Sequence, residues 1–396
     1  MATFEEARRL LEESVCRLEP ESVRLREALG CVLAQDIYSP VELPLFDSSA
    51  MDGYAVRSSD VNGVLPVKLK IAGEVKAGDF KKRGLAKGEA YRIYTGAQIP
   101  GGADAVLMQE DGEEAEGFVL VKKHVKSGDN VRKAGEEVRR GELVLNAGAL
   151  LTPAALGMLA MMGIGRVSVT RKPSVLVAAT GSEVMRPGER LRAGKVYDSN
   201  TYSISSALRY MGIERVRSVR AKDDPSSIEN LFHKALHAHD VLIFTGGVSV
   251  GKYDFVSVIF EKAGVKKVFH KVAQKPGKPV YFGKCEGKLI FGLPGNPASA
   301  LVCFYQYVYP AIRKMSGLDP IFLSEGELVL EENIQIKPGR VHFLFGIAAS
   351  GSVTPLPHQA SHMLSSLAVA NCLVVVPAGQ SLVKKGESVR VQFLPV

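Results

Sequence analysis

The sequence predicts a multidomain protein of mixed α/β and β type. Its expected parts are a central doubly wound parallel α/β domain, a helical arm with an inserted β-rich domain, and a small C-terminal β-barrel. Three observations lead there. The chain has 396 residues, more than one core of ordinary size accommodates. From Lys172 to about Gly317, short apolar runs alternate with helical patterns, and several runs end in glycine-rich loops. Before and after that stretch, short β-rich runs are separated by Gly, Asp and Asn turns.

In chain order, Phe4, Ala7, Leu10, Leu11, Val15 and Leu18 recur at helical spacing with charges between them. A strand-like piece follows at 31–37. Runs at 67–71, 91–94, 105–108 and 118–122 read as a small all-β unit over 41–140. Thr152-Pro153 is an N-cap with proline at the first helical position, opening a helix at 154–162. That helix and the first one are expected to form one arm, 1–40 with 141–171. In 172–318, strands are expected at 175–179, 218–221, 241–244 and 289–291. Helices are expected at 203–211, 226–237, 254–263 and 298–312. Ligands in such sheets lie beyond the carboxyl ends of the strands, where strand order reverses. Strands at 328–330, 341–345, 372–376 and 388–393 make 319–396 a small barrel or sandwich, the barrel being carried forward.

Composition excludes several classes. Hydrophobic residues make up 46% and charged residues 23%, which is globular composition. Lys and Arg exceed Asp and Glu by 50 to 42, but the excess is dispersed and aromatics are only 7%. A nucleic-acid groove needs a longer basic stripe and more stacking rings. No apolar run reaches the roughly 18–20 residues of a membrane span. The N-terminus has no basic n-region and no apolar h-region. Five cysteines, with no CxxC pair, fit neither a disulfide framework nor a cysteine-rich zinc site. A cytoplasmic protein is expected.

The chemistry-bearing residues sit in loops. Thr245-Gly246-Gly247-Val248-Ser249-Val250-Gly251-Lys252-Tyr253-Asp254 follows a buried strand, and its glycines let backbone N–H groups approach an anion. A plain glycine turn with a capping Asp explains it equally well. Gly247 to Gly251 also spells G-x-S-x-G, but Thr245 to Gly247 intervene where a nucleophile elbow needs the serine at the strand end. Lys271, Lys275 and Lys278 fall within eight residues, the last two flanking Pro276-Gly277. A rigid turn lets two ammonium groups converge on one oxyanion, whereas a solvated hairpin is the bland reading. Gly292-Leu293-Pro294-Gly295-Asn296-Pro297-Ala298-Ser299 places a helix start at a strand end. Glu183, Asp223, Asp224 and Asp254, with Asp47 and Asp52 further upstream, are loop carboxylates that suit Mg²⁺ when a phosphate supplies the remaining ligands; singly each reads as a cap or turn residue. His233, His237 and His239 have zinc-like spacing without a supporting motif.

Taken together these strings closely resemble the molybdopterin molybdenumtransferase family, which includes MoeA and the E domain of gephyrin. The resemblance runs nearly end to end. It is carried by PLFDSSAMDGYA from Pro44, YTGAQIPGGADAVLMQED from Tyr94, SGDNVRKAGEEV from Ser127 and AATGSEV from Ala178. TGGVSVGKYDFV from Thr245, KPGKP from Lys275, GLPGNPAS from Gly292 and HQASHMLSSLAVAN from His358 complete it.

The resemblance implies a molybdopterin-binding α/β domain in an elongated four-subdomain homodimer. It implies insertion of molybdate into the dithiolene of adenylylated molybdopterin, with cleavage of the AMP pyrophosphate bond and a divalent cation such as Mg²⁺. Lys275, Lys278, Ser299, Arg340 and Ser361 correspond to the molybdate pocket. Ser249 and Asp254 correspond to nucleotide and metal contacts, with Asp223 and Glu183 as further metal candidates. Asp52, Thr95, Lys271, Pro294 and Pro297 match other functional positions, and Asp52 and Thr95 lie in the β-rich unit that in the family reaches the partner's site. Transient contact with the adenylyltransferase and with acceptor molybdoenzymes is also implied; nucleic acid and membrane are not. Where the family has Asp, this chain has Glu137, one methylene longer. The rivals are the adenylyltransferase, which lacks the arm, the β-rich insertion and the terminal β unit, and a non-catalytic molybdopterin carrier or scaffold.

Overall fold

The computed structural model describes residues 1–79, 83–222, 224–247 and 255–395. The chain forms two compact units. One comprises Met1–Glu21, Gly30–Val32 and Val169–Val396; the other comprises Ser22–Leu29 and Leu33–Ser168.

The first unit is built on a six-stranded sheet. Its order is Val216–Ala221, Val175–Thr180, Val241–Thr245, Lys288–Leu293, Tyr281–Cys285, Lys266–His270. The first four strands are parallel and the last two antiparallel. Val175–Thr180 and Val241–Thr245 are buried along their whole length, which is why they read as unbroken apolar runs. Alternate residues serve opposite faces. Val175, Val177 and Ile243 join one core with Ile204 and Phe304, while Leu176, Ala178, Leu242 and Phe244 join another with Ile228, Phe232 and Phe260. Strand order reverses between Val175–Thr180 and Val241–Thr245. Two antiparallel pairings extend the parallel sheet beyond Lys288–Leu293. Lys266 and Lys267 interrupt the apolar pattern of the edge strand Lys266–His270, as suits a sheet edge.

The first helix, Phe4–Ser14, starts in a capping box: Glu6 N donates to Thr3 Oγ1 at 3.1 Å, and Thr3 N donates to the Glu6 carboxylate. It buries Phe4, Ala7 and Leu11 in the first unit's core, with the Phe4 ring 5.1 Å from that of Phe343. Residues 1–21 therefore belong to the α/β unit, not to the expected arm. The helix expected at 298–312 runs as Pro297–Cys303, a π-helical turn Phe304–Val308, and Tyr309–Met315. Pro310 has no N–H to return to the preceding turn, which favours the looser winding there.

At the C-terminus, Glu325–Leu330, Ser388–Phe393, Cys372–Val376, Val341–Ala349 and Ser352–Pro355 pair in a closed ring. This is the small barrel, and closure leaves its strands no free edge within the ring. The short strand Gln274–Lys275 adds in parallel to Val341–Ala349, with Lys275 opposite His342.

A buried carboxylate anchors the end of the sheet away from the glycine loops. Asp240 accepts from Arg171 at 2.7 and 2.9 Å and from Ser174 N and Oγ at 2.8 Å. Burial pushes this carboxyl up, but the Arg171 and Ser174 hydrogen bonds outweigh it and hold it well below the usual range. Because the folded value is depressed, the stabilisation is fully present above about pH 4 and is lost as pH falls through the folded value. Asp240→Ala is expected to cost about 3–5 kcal/mol at pH 7, by leaving Arg171 without its partner. Calorimetry of both proteins from pH 7 to 3 checks this: the gap should narrow at the acid end.

The second unit is mostly β-stranded. Its main sheet has the order Ala105–Met108, Gly53–Val56, Glu89–Ile93, Val67–Val75, Phe118–Val121, Gly112–Ala115. Tyr54, Leu69, Leu107 and Val119 fill one core, and Ala55, Val75, Tyr91 and Val106 another. The helix Pro153–Met161 is capped as predicted, Thr152 Oγ1 accepting from Ala155 N at 3.2 Å.

Candidate functional site

Three strand ends of the first unit open on one cleft. Val175–Thr180, Val241–Thr245 and Lys288–Leu293 are apolar until their last residues, and each then turns on small residues. Thr180 Oγ1 donates to Thr245 O at 3.2 Å, and Gly246 N to Leu293 O at 3.0 Å, so the loops are tied to one another. The cleft encloses about 700 Å³. Glu183, Gly246, Gly247, Pro294 and Pro297 all line it, as expected at a reversal of strand order.

Two residues at the cleft were missed by sequence reasoning. Asn200 donates from Nδ2 to Gly295 O at 2.9 Å, while its Oδ1 is buried with no partner among the described residues. Asp198 accepts from Thr201 N at 3.0 Å and from Thr201 Oγ1 at 2.5 Å, fixing the start of the helix Asn200–Tyr210. The only signal in the sequence was the cap-like run Asp198-Ser199-Asn200-Thr201. Asn296, read as a plain N-cap, does something else. It makes no capping bond, and its Nδ2 donates to Ser361 Oγ at 2.9 Å.

The basic loop stands between this cleft and a second cavity. Pro279 lines the cleft, whereas Lys275 and Pro276 line a cavity of about 940 Å³ with His342 and Gln359. Lys275 and Lys278 are exposed and Arg340 is half-buried. Arg340 immediately precedes Val341, whose N–H donates to Ala273 O at 3.0 Å. His342 is buried, and its ring is held below the usual histidine range first by burial, then by Lys275 and Arg340. Ser299 is buried, and its N–H donates to Ser361 O at 3.3 Å. Lys271 stands at the root of the loop. It has φ 64°, its carbonyl accepts from Ala2 N at 3.1 Å, and Ala273 N donates back to Ala2 O at 2.9 Å. Lys275 and Lys278 stand exposed on one loop, and Ser299 and Ser361 meet through a backbone hydrogen bond; ammonium and hydroxyl groups are of the kind that suits a tetrahedral dianion.

In the second unit, Asp52 and Thr95 are brought together. Thr95 donates from N and from Oγ1 to Asp52 Oδ1, each at 2.8 Å, and these bonds lower the Asp52 carboxyl below its ordinary range. Glu137 is exposed, and its N–H donates to Leu43 O. Asp223, Ser249 and Asp254 lie outside the described residues, and with Ser249 goes the G-x-S-x-G string. Of the three metal candidates, Glu183 alone is described. Its carboxylate is exposed in the cleft and makes no hydrogen bond or ion pair among the described residues. A free hard-oxygen donor there fits a divalent cation. No group of three metal-ligating side chains converges among the described residues, His233, His237 and His239 included.

Known proteins match the whole chain. Residues 2–163 match the family described as MoeA N-terminal region (domain I and II). Residues 176–314 match the "Probable molybdopterin binding domain", and 327–394 the MoeA C-terminal region (domain IV). A molybdopterin molybdenumtransferase of Haemophilus influenzae is 38% identical, the match covering 99% of this chain and 98% of the relative. Molybdopterin molybdenumtransferase 2 of Mycobacterium tuberculosis is 35% identical over 99% of both chains. The crystal structure of a molybdopterin biosynthesis MoeA protein from Pyrococcus horikosii superposes with a TM-score of 0.83 at 32% identity, covering 99% of both chains.

Proposed function

The chain belongs to the molybdopterin molybdenumtransferase family, and on that premise we propose how its loops divide the work. It is an enzyme of molybdenum cofactor biosynthesis that puts molybdenum onto molybdopterin. In our reading the incoming substrate is adenylylated molybdopterin, and insertion of molybdate at the dithiolene accompanies hydrolysis of the pyrophosphate link to AMP. The observation that carries this is the lysine loop, set between a glycine-lined cleft and a second cavity.

Molybdate, a substrate, rests against Lys275, Lys278 and Arg340, with Ser299 and Ser361 as hydroxyl partners. Point charges on a fixed backbone neutralise the dianion and hold it for attack by the dithiolene sulfurs. The pyrophosphate lies along Gly246 and Gly247, where backbone N–H groups can reach it, with Ser249 on the nucleotide and Pro294 and Pro297 shaping the wall. Glu183, Asp223 and Asp254 would hold a divalent cation such as Mg²⁺, which when bound supplies charge neutralisation of the phosphates. The protein's own part is positioning, and no protein nucleophile is required. Lys271 sets the root of the basic loop. Asp52 and Thr95 serve the site of the partner in a homodimer. We read the chain as modules at 41–140, 172–318 and 319–396, with 141–171 and the segment before 41 forming the arm apart from residues 1–21. No described helix is long and apolar enough to cross a membrane, and we assign the enzyme to the cytoplasm, in transient contact with the adenylyltransferase and acceptor molybdoenzymes.

The test uses purified protein, adenylylated molybdopterin, molybdate and Mg²⁺, following AMP release and reconstitution of a molybdenum-free acceptor enzyme. Molybdate-dependent AMP release with reconstitution supports the reading. Binding with neither outcome would make the protein a carrier, and adenylation of molybdopterin by ATP would make it the adenylyltransferase. Chelation of divalent cations is expected to lower AMP release more than about a hundredfold, restored by added Mg²⁺. Molybdate binding to the lysine loop, measured by calorimetry, should change little.

A further inference from the structure

Two lysines share one oxyanion only if the backbone beneath both is held to a fraction of an ångström. The loop 271–280 has little regular structure to hold it. Beyond the two-residue strand Gln274–Lys275, Val272 N donates to Lys278 O at 3.0 Å. Ala2 and Val341 tie the root of the loop through the backbone, and the part between the lysines is supported from the helical stretch 297–315.

Gln274 is 0% exposed, and both ends of its side chain are used. Nε2 donates to Pro276 O at 3.0 Å, and Oε1 accepts from the Tyr307 hydroxyl. The Cys303 thiol donates to Gly277 O at 3.3 Å and lies 3.7 Å from Gln274 Nε2. Cys303 and Tyr307 are both fully buried. Burial pushes the Cys303 thiol and the Tyr307 phenol upward, so each keeps the proton it donates. The fit is tight: a Cβ on Gly277, which has φ 90°, would come within 2.3 Å of Cys303 Sγ. Tyr307 lies in the π-helical turn Phe304–Val308. The same turn sends Gln306 elsewhere, its Nε2 donating to Gln392 Oε1 at 2.7 Å in the barrel. Such turns recur at functional sites because they re-aim side chains within a helix.

A core that needed only filling would have used apolar residues here, since buried polar groups stabilise little unless every partner is present. The polar atoms of this trio end on the carbonyls of Pro276 and Gly277, the two residues between the lysines. We propose that Tyr307, Gln274 and Cys303 are positioning residues that fix the spacing of Lys275 and Lys278, and so set the affinity for molybdate without touching it. The inference rests on the reading of those lysines as molybdate ligands.

The experiment measures KM for molybdate and, separately, for adenylylated molybdopterin in Tyr307→Phe, Cys303→Ala, Cys303→Ser and Lys275→Ala. Each is assayed well below its own unfolding midpoint. Tyr307→Phe and Cys303→Ala should raise the molybdate KM about tenfold, with the KM for adenylylated molybdopterin and kcat at saturating molybdate within about twofold. Cys303→Ser should remain within about threefold of the parent, because its hydroxyl can still donate to Gly277 O. If Tyr307→Phe does not fold, the two Cys303 variants carry the comparison. Lowered midpoints with an unchanged molybdate KM, or equal rises in both KM values, would overturn the inference. An unchanged molybdate KM in Lys275→Ala would overturn the site assignment beneath it. A large rise there, without one in the Tyr307 and Cys303 variants, would overturn positioning alone.

Discussion

Lys275→Ala is expected to lower kcat/KM for molybdate by about 10²–10³-fold while leaving the fold intact. The side chain is exposed, contributes to no core cluster, and ends at the wall of the larger cavity beside His342. In the proposed site its loss removes one of three positive charges set against the dianion. Lys275→Arg should recover only part of the activity, because a planar fork presents its donors differently from a compact ammonium. Kinetics at varied molybdate, with a thermal scan beside them, decides the matter. A stable variant with normal molybdate dependence would move the oxyanion to another part of the site.

Gly53→Ala is expected to produce the largest loss of stability, on the order of 4 kcal/mol or more, and to unfold the second unit. Gly53 lies within a central strand, paired with Met108 on one side and Ile93 on the other. A Cβ there would stand 1.9 Å from Leu107 O and 3.0 Å from Gln109 N. Both obstacles are backbone, and hydrogen bonds on both sides keep the strand from shifting away. Gln109 N also donates to Asp52 O at 3.1 Å, so a displaced strand would carry the Asp52–Thr95 pair with it. With no tryptophan in the chain, calorimetry or far-ultraviolet dichroism is the suitable probe. A variant that melts like its parent would show that the sheet yields more readily than its ladder implies.

Local signals carried much of the fold into the sequence. The Thr152-Pro153 start and the Asp224-Pro225 start each declare a helix through nearest-neighbour chemistry. The buried parallel strands announce themselves as apolar runs because both faces are covered. The edge strand Lys266–His270 was harder to read because its exposed lysines blur the apolar pattern. The destination of the first helix could not be read either, since an apolar stripe says that it is buried and not against what. The glycine loops located the cleft by strand ends alone. The roles within it came from resemblance, because Arg340 and Ser361 are distant in sequence from the lysines. Gln274 and Tyr307, 33 positions apart, look like ordinary polar and aromatic residues until the fold puts them together.

The tie between Ala2 and the root of the basic loop bears on the order of events during synthesis. Ala2 is made before the whole second unit, and its bridging partner Val272 after it. That inserted unit has its own cores and can condense as soon as it emerges. The α/β unit cannot, because its first helix must wait, its apolar face unburied, for strands still to be translated. The basic loop 271–280 therefore gains its tie to Ala2 only after the strands around it have been translated.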